Sequence, residues 1–297
     1  TTVTTLTTLR NTHGRGNYLP RLTEKETFVV EREKSIVAAF SNRTDAGIDT
    51  RTVQTSFAPG TRLLELTGNA TDSTVDPTNQ IADFVVVDSL GRITIHVPRN
   101  RTGTTDHGRG YVIYGLATPS GTLSVEGLAN TIPPQPAGAS NNGTARLAPI
   151  DVVTSDTFTL RLQTSAVVIG GVTDFDSGGD NALLFVNGGV DVNRNGQVDF
   201  RTPGSVAYTG EQFITKRSPL TSGGDGEYRQ LVHSDDLIEG FNYVEVKAFR
   251  RRVDGGPAVY SSFRKVIYVD RAKPEVELAS ITGSASGTRE FRYANAD

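Results

Sequence analysis

The sequence predicts a mainly β protein: two antiparallel β-sandwich domains joined by a proline-rich linker. Three observations carry this prediction. Short runs alternate apolar with polar residues, as strands with one buried face do, and Gly, Pro or Asn interrupts them repeatedly. Glycine is abundant, at 31 of 297 residues, beside much Thr and Val, which favours strands and tight turns over helices. Between residues 131 and 149, Pro133, Pro134, Pro136 and Pro149 stand among Gly, Ser and Asn, a composition that cannot bury a core and suits a linker.

The expected organisation is an N-terminal segment (1–26), a first sandwich (27–130), the linker (131–149), a second sandwich (150–272) and a C-terminal extension (273–297). Residues 1–12 place Val3, Leu6 and Leu9 on one helical face, yet Thr is a poor helix former, so taken alone the stretch reads as extended. Strands are expected at 27–32, 35–40, 50–56 and 62–67, with a long polar loop at 69–80. Residues 84–88 and 93–97, around the turn 89–92, read as a hairpin, and 110–116 as the closing strand. The second series runs 156–163, 183–186, 208–215, 228–233, 242–250 and 263–270. Leu237-Ile238-Glu239-Gly240 is similar to the turn before a late strand of immunoglobulin-like domains.

Composition excludes some classes. A net charge of −3 with 21% charged residues favours neither nucleic acid nor an anionic membrane as partner. No apolar run is long enough to span a bilayer. Without cysteine there is no disulfide scaffold and no thiolate metal site. Methionine is absent even at position 1, which suggests a cut precursor or a piece of something longer. An extracellular or cell-surface setting is expected, where calcium does the stapling that disulfides cannot.

Calcium has a candidate loop. Asp191, Asn193, Asn195, Gln197 and Asp199 put oxygen donors at every second position, and Gly196 sits where a calcium loop turns sharply. Asp174, Asp176 and Asp180 are candidates for the remaining carboxylates. The twelfth position holds Thr202 rather than Glu, and Asn195-Gly196 is also a strong hairpin signal. A truncated calcium site and a metal-free turn both fit.

No catalytic group is expected in this chain. His13, His96, His107 and His233 have no partner at zinc-site spacing, and no nucleophile elbow appears. Polysaccharide is a candidate partner, with Tyr208, Phe213, Tyr228 and Tyr260 near turns as contact candidates; for most aromatics the core is the expected destination. Arg250, Arg251 and Arg252 read as the solvated end of a strand that discourages edge pairing. Asn42, Asn69, Asn100 and Asn142 head glycosylation sequons.

Several phrases together resemble a known family. TLRNTHGRGNYLPRL followed by ETFVVERE is similar to the last helix of an α-amylase barrel and its exit into the C-terminal sandwich. RTDAGIDTRTVQTSFAPGTRLLELTGNA and ITIHVPRNRTGTTDHGRGYVIYGLATPSGTLS resemble the two halves of that sandwich. VAYTGEQFITKRSPL and GDGEYRQLVHSDDLIEGFNYVEVKAFRRR resemble tails that follow it in secreted bacterial amylase-like proteins. The resemblance implies a short helix at 1–12 beside a barrel, and a non-catalytic accessory role. The acid/base pair that a retaining glycosidase needs about 5–5.5 Å apart would belong to barrel strands that match nothing here. The alternative is an extracellular structural protein, a cell-surface or filament subunit that self-assembles through terminal segments adding to a neighbour's sheet edge.

Overall fold

The computed structural model describes residues 2–100, 109–128, 130–134, 148–179, 181–186, 213–216 and 226–271, with the backbone alone at 2, 213–216 and 236. The chain is mainly β, in sheets whose described strand pairs are antiparallel apart from one, with one α-helix among the described residues.

The helix α1 (Thr2–His13) forms although Thr favours it little. Burial decides: Leu9 and the half-buried Leu6 pack on Ile36, Ala38 and Ile113 of a β-sheet. Arg10 lies in the last turn, where positive charge suits the helix dipole. The helix stops at Gly14, whose N–H donates to Arg10 O; a Cβ there would sit 2.4 Å from that oxygen. The apolar stripe that the sequence leaves in search of a partner is thus covered by the chain's own sheet, except for exposed Val3.

That sheet has the order β1-β2-β3-β8-β5-β6. Its strands are β1 (Tyr18–Thr23), β2 (Thr27–Arg32), β3 (Ile36–Ser41), β5 (Arg62–Glu65), β6 (Phe84–Val86) and β8 (Tyr111–Gly115). β1, unexpected from the sequence, is an edge strand, where Pro20 removes no ladder hydrogen bond that the sheet needs. β3 is buried on both faces, which explains its unbroken run Ile36-Val37-Ala38-Ala39. Ile36 and Ala38 meet α1, while Val37 and Ala39 meet the core beneath.

The other wall of that core is a pair, β4 (Ile48–Gln54) and β7 (Arg92–Pro98), contributing Val53, Ile93, Ile95 and Val97. Here the structure corrects the expected hairpin at 84–97. The turn forms, with Gly91 at φ 77° and its N–H donating to Asp88 O, but β6 pairs with β5 and β7 with β4. The turn therefore crosses between two facing layers. Tyr114 lies fully buried between them, its hydroxyl donating to Ala82 O at 2.8 Å.

The second sheet has the order β10-β11-β19-β18-β15-β16-β17-β12-β9. Its strands are β9 (Ser120–Glu126), β10 (Asn130–Ile132), β11 (Ile150–Val153), β12 (Thr157–Ser165), β15 (Asn181–Val186), β16 (Phe213–Lys216), β17 (Gly226–His233), β18 (Gly240–Phe249) and β19 (Tyr260–Val269). A small hairpin, β13 (Val167–Ile169) and β14 (Val172–Asp174), turns through Gly170-Gly171, both at positive φ. Phe158, Leu160 and Leu162 of β12 share one apolar cluster with Leu184, Val244, Val246 and Ile267 from the far half, so the two halves face each other. β11 lies parallel to β19. β9 pairs with β12 and β10 with β11, so the chain enters this sheet at Ser120, ahead of the segment expected to separate the two units.

Candidate functional site

Most of the candidate calcium loop, Asp180, Asp191, Asn193, Asn195, Gln197 and Asp199, lies outside the described residues. Asp174 and Asp176 are described. Asp174 closes β14, and both its carboxylate oxygens accept from Arg250, at 2.6 and 2.9 Å. Asp176 lies 3.9 Å from the Arg251 guanidinium, and its carbonyl accepts from the Arg251 N–H. Among the described residues no three His, Asp or Glu side chains gather in a way that would hold a metal ion.

What Asp174 belongs to instead is a polar seam between the first unit and residues 250–259, the connection from β18 to β19. Arg250 holds Asp174 with two hydrogen bonds and donates a further one to Ala117 O at 3.0 Å. Arg252 grips Asp254 the same way and donates to Lys34 O (2.8 Å) and Pro257 O (2.6 Å). In return, Lys34 Nζ donates to Asp254 O at 2.7 Å. Val259 is fully buried in the core of the first unit. The Arg250 and Arg252 side chains are only 9% and 10% exposed; Arg251, at 51%, is the one in water. This corrects the reading of the arginine run as a solvated strand end. Two of the three guanidiniums bind carboxylates and carbonyls in the two-pronged way that their planar geometry favours.

His13, at the end of α1, completes the seam. It is buried, with Nε2 3.0 Å from Leu116 O and Nδ1 2.8 Å from Thr12 Oγ1. A carbonyl only accepts, so Nε2 carries the hydrogen. Its own carbonyl accepts from Ser35 Oγ. Burial pulls the imidazole pKa down to about 4, against the Leu116 hydrogen bond and with help from the Arg250 and Arg252 charges. At neutral pH the ring is an uncharged strut whose Nε2–H donates to Leu116 O. Its position gives it a mechanical role, and the sequence reading missed it because its partners are remote along the chain.

The aromatic candidates fare differently. Tyr208 and the Phe213 side chain lie outside the described residues. Tyr228 is fully buried in the second core, so its ring has no face for a sugar. Tyr260 is buried at the seam, tilted against Phe249 at 5.3 Å with the Arg15 guanidinium 5.8 Å from its centroid. The aromatics that do reach solvent include Phe241 and Tyr243, side chains that alternation on β18 turns outward. Of the sequon asparagines, Asn42 is exposed, Asn100 is half-buried and Asn142 lies outside the described residues. Asn69 is buried and donates to Tyr111 O at 2.7 Å, which removes it as an acceptor of glycan in the folded chain.

The sequence matches no family model, and no curated protein matches it.

Proposed function

We propose that this chain is a non-catalytic accessory region of a secreted, amylase-like glycoside hydrolase, extracellular in its working place, where it braces a catalytic barrel or helps attach it. The observation that carries this reading is the order at the N-terminal end: a short helix, α1, stops at Gly14 and leads directly into β1 and β2, as the resemblance of TLRNTHGRGNYLPRL implies. The seam supports it as well. A bracing element must hold its parts at a fixed angle, and the directional, charge-assisted hydrogen bonds from Arg250 to Ala117 O and from Arg252 to Lys34 O suit that task.

The test is the mass of the native gene product that carries this sequence. The reading expects it to be longer by about 250 residues or more, the size of an eight-stranded α/β barrel. A native product beginning at Thr1 contradicts it. So does starch hydrolysis by the chain alone, since no acid/base pair has been identified in it. Calcium at residues 191–199 belongs to the same proposal. Chelation should lower the melting temperature, and calcium should restore it better than magnesium, which demands a tighter octahedron.

The second reading, a self-assembling structural protein, is favoured by a different observation: Phe241, Tyr243 and Val266 stand in solvent on one sheet face.

A further inference from the structure

We infer that the outward face of β18 and β19 is a self-complementary surface that docks on the same face of a second copy of this chain. The inference rests on that face alone and stands apart from the amylase-like reading. Antiparallel pairing sets Phe241 beside Tyr268, Tyr243 beside Val266, and Glu245 beside Arg264. Alternation turns these outward, while Asn242, Val244 and Val246 face the core. Phe241 is 58% exposed, Tyr243 41% and Val266 39%. The Phe241 and Tyr268 rings meet edge to face at 4.9 Å. The result is an apolar band two rows deep, bordered by a row that carries one acid and one base. Apolar surface gathered in this way marks an interaction site more often than apolar residues scattered singly. β18 and β19 are interior strands, so strand addition at an edge is closed to them and packing face to face is the open mode.

The charges select the occupant. A strongly charged partner would call for a border of one sign. This border instead holds Glu245 and Arg264 on neighbouring strands, 3.2 Å apart and opposite in charge. Consider a two-fold axis parallel to the strands and midway between β18 and β19. It lays β18 of one copy over β19 of the other without shifting the rows. Glu245 then faces Arg264 of the second copy, Tyr243 faces Val266, and Phe241 faces Tyr268, each contact occurring twice as an isologous interface requires. Charge meets opposite charge, a large side chain meets a smaller one, and aromatic meets aromatic.

Sedimentation of the full chain from about 1 μM to about 1 mM tests this. A monomer–dimer equilibrium is expected within that range. Glu245→Arg and Arg264→Glu should each weaken it at least about tenfold, because like charges then face each other twice. An equimolar mixture of the two variants should restore the dimer, since the mixed pair recovers both opposite-charge contacts. Phe241→Ser removes an exposed ring and leaves the core intact, and it should weaken the dimer too. A wild-type chain that stays monomeric overturns the inference. A dimer that Phe241→Ser leaves unchanged, or one that the mixture fails to restore, overturns it equally.

Discussion

The two hydrophobic cores are built from similar residues, but only one is closed in sequence. Every member of the second core, from Leu123 to Val269, lies in the stretch that forms the nine-stranded sheet. The first core runs from Leu22 to Leu116 and then takes in Val259, from the connection between β18 and β19. Around that valine, Arg250, Arg252 and Lys34 tie the two units together through backbone carbonyls. The first unit is thus completed by the second, whereas among the described residues none before Leu123 joins the second core. A core that borrows a residue has its stability coupled to the segment that lends it.

The largest effect on this asymmetry should come from Arg250→Ala. It leaves the Asp174 carboxylate, 17% exposed, without its guanidinium, and orphaning one member of a buried pair costs about 3–5 kcal/mol. Thermal or denaturant unfolding of the full chain should register that loss, while Arg251→Ala, at the solvated neighbour, should change stability by less than about 0.5 kcal/mol.

Acidification should act next. His13 titrates at about 4 when folded, against 6.5 as the ordinary value. Above pH 6.5 the ring is neutral in both states and stability does not depend on it. Between pH 6.5 and 4 the unfolded chain binds the proton and the folded chain does not, so stability falls as pH falls. Below pH 4 the loss levels off. At about 1.4 kcal/mol per pH unit the loss approaches about 3 kcal/mol. The difference in melting between pH 7 and pH 4.5 should shrink in His13→Gln, and an unchanged difference would assign the acid sensitivity elsewhere.

The helix comes third. Leu9→Ala removes the buried contact that overrides the weak helix propensity of the threonines, at a cost of about 2–3 kcal/mol. Loss of helical circular dichroism at that cost, with the sheet signal kept, is the expected result. The smallest effect should be Arg229→Ala on the outer face of β17. Arg229 and Arg161 there pair with Glu126 and Glu227, but all four side chains are about a quarter to a third exposed, and such pairs contribute less than about 1 kcal/mol.

The contrast also explains what could be read from the sequence. Alternation revealed β2, β12, β17 and β18, because each has one face in a core and the other toward solvent or a neighbour. β1 and β9 escaped notice because edge strands carry little apolar pattern, and Pro20 and Gly121 obscure it further. The 84–97 turn was legible, since Gly91 needs positive φ, but a turn does not state whether its strands pair or cross between layers. The seam was illegible for a different reason. Arg250 and Arg252 are indistinguishable in sequence from a solvated run, and only the fold brings Ala117, Lys34 and Asp174 to them. The resemblance pointed to a helix at 1–12, and the structure places it, with Leu9 buried on the sheet. Of the calcium candidates, Asp174 shows how a carboxylate that suits a ligand in sequence can be held in the fold by an arginine.

Hydrogen exchange on the full chain carrying Val259→Asp tests most directly whether the second unit completes the first core. Placing a carboxylate where Val259 is fully buried should loosen the packing around it. The account predicts lost protection in β3, β7 and β8, all in the first unit and distant in sequence from the substitution, with β12 and β17 still protected. Loss confined to β18 and β19, with β3 and β8 protected as in the wild type, would contradict it.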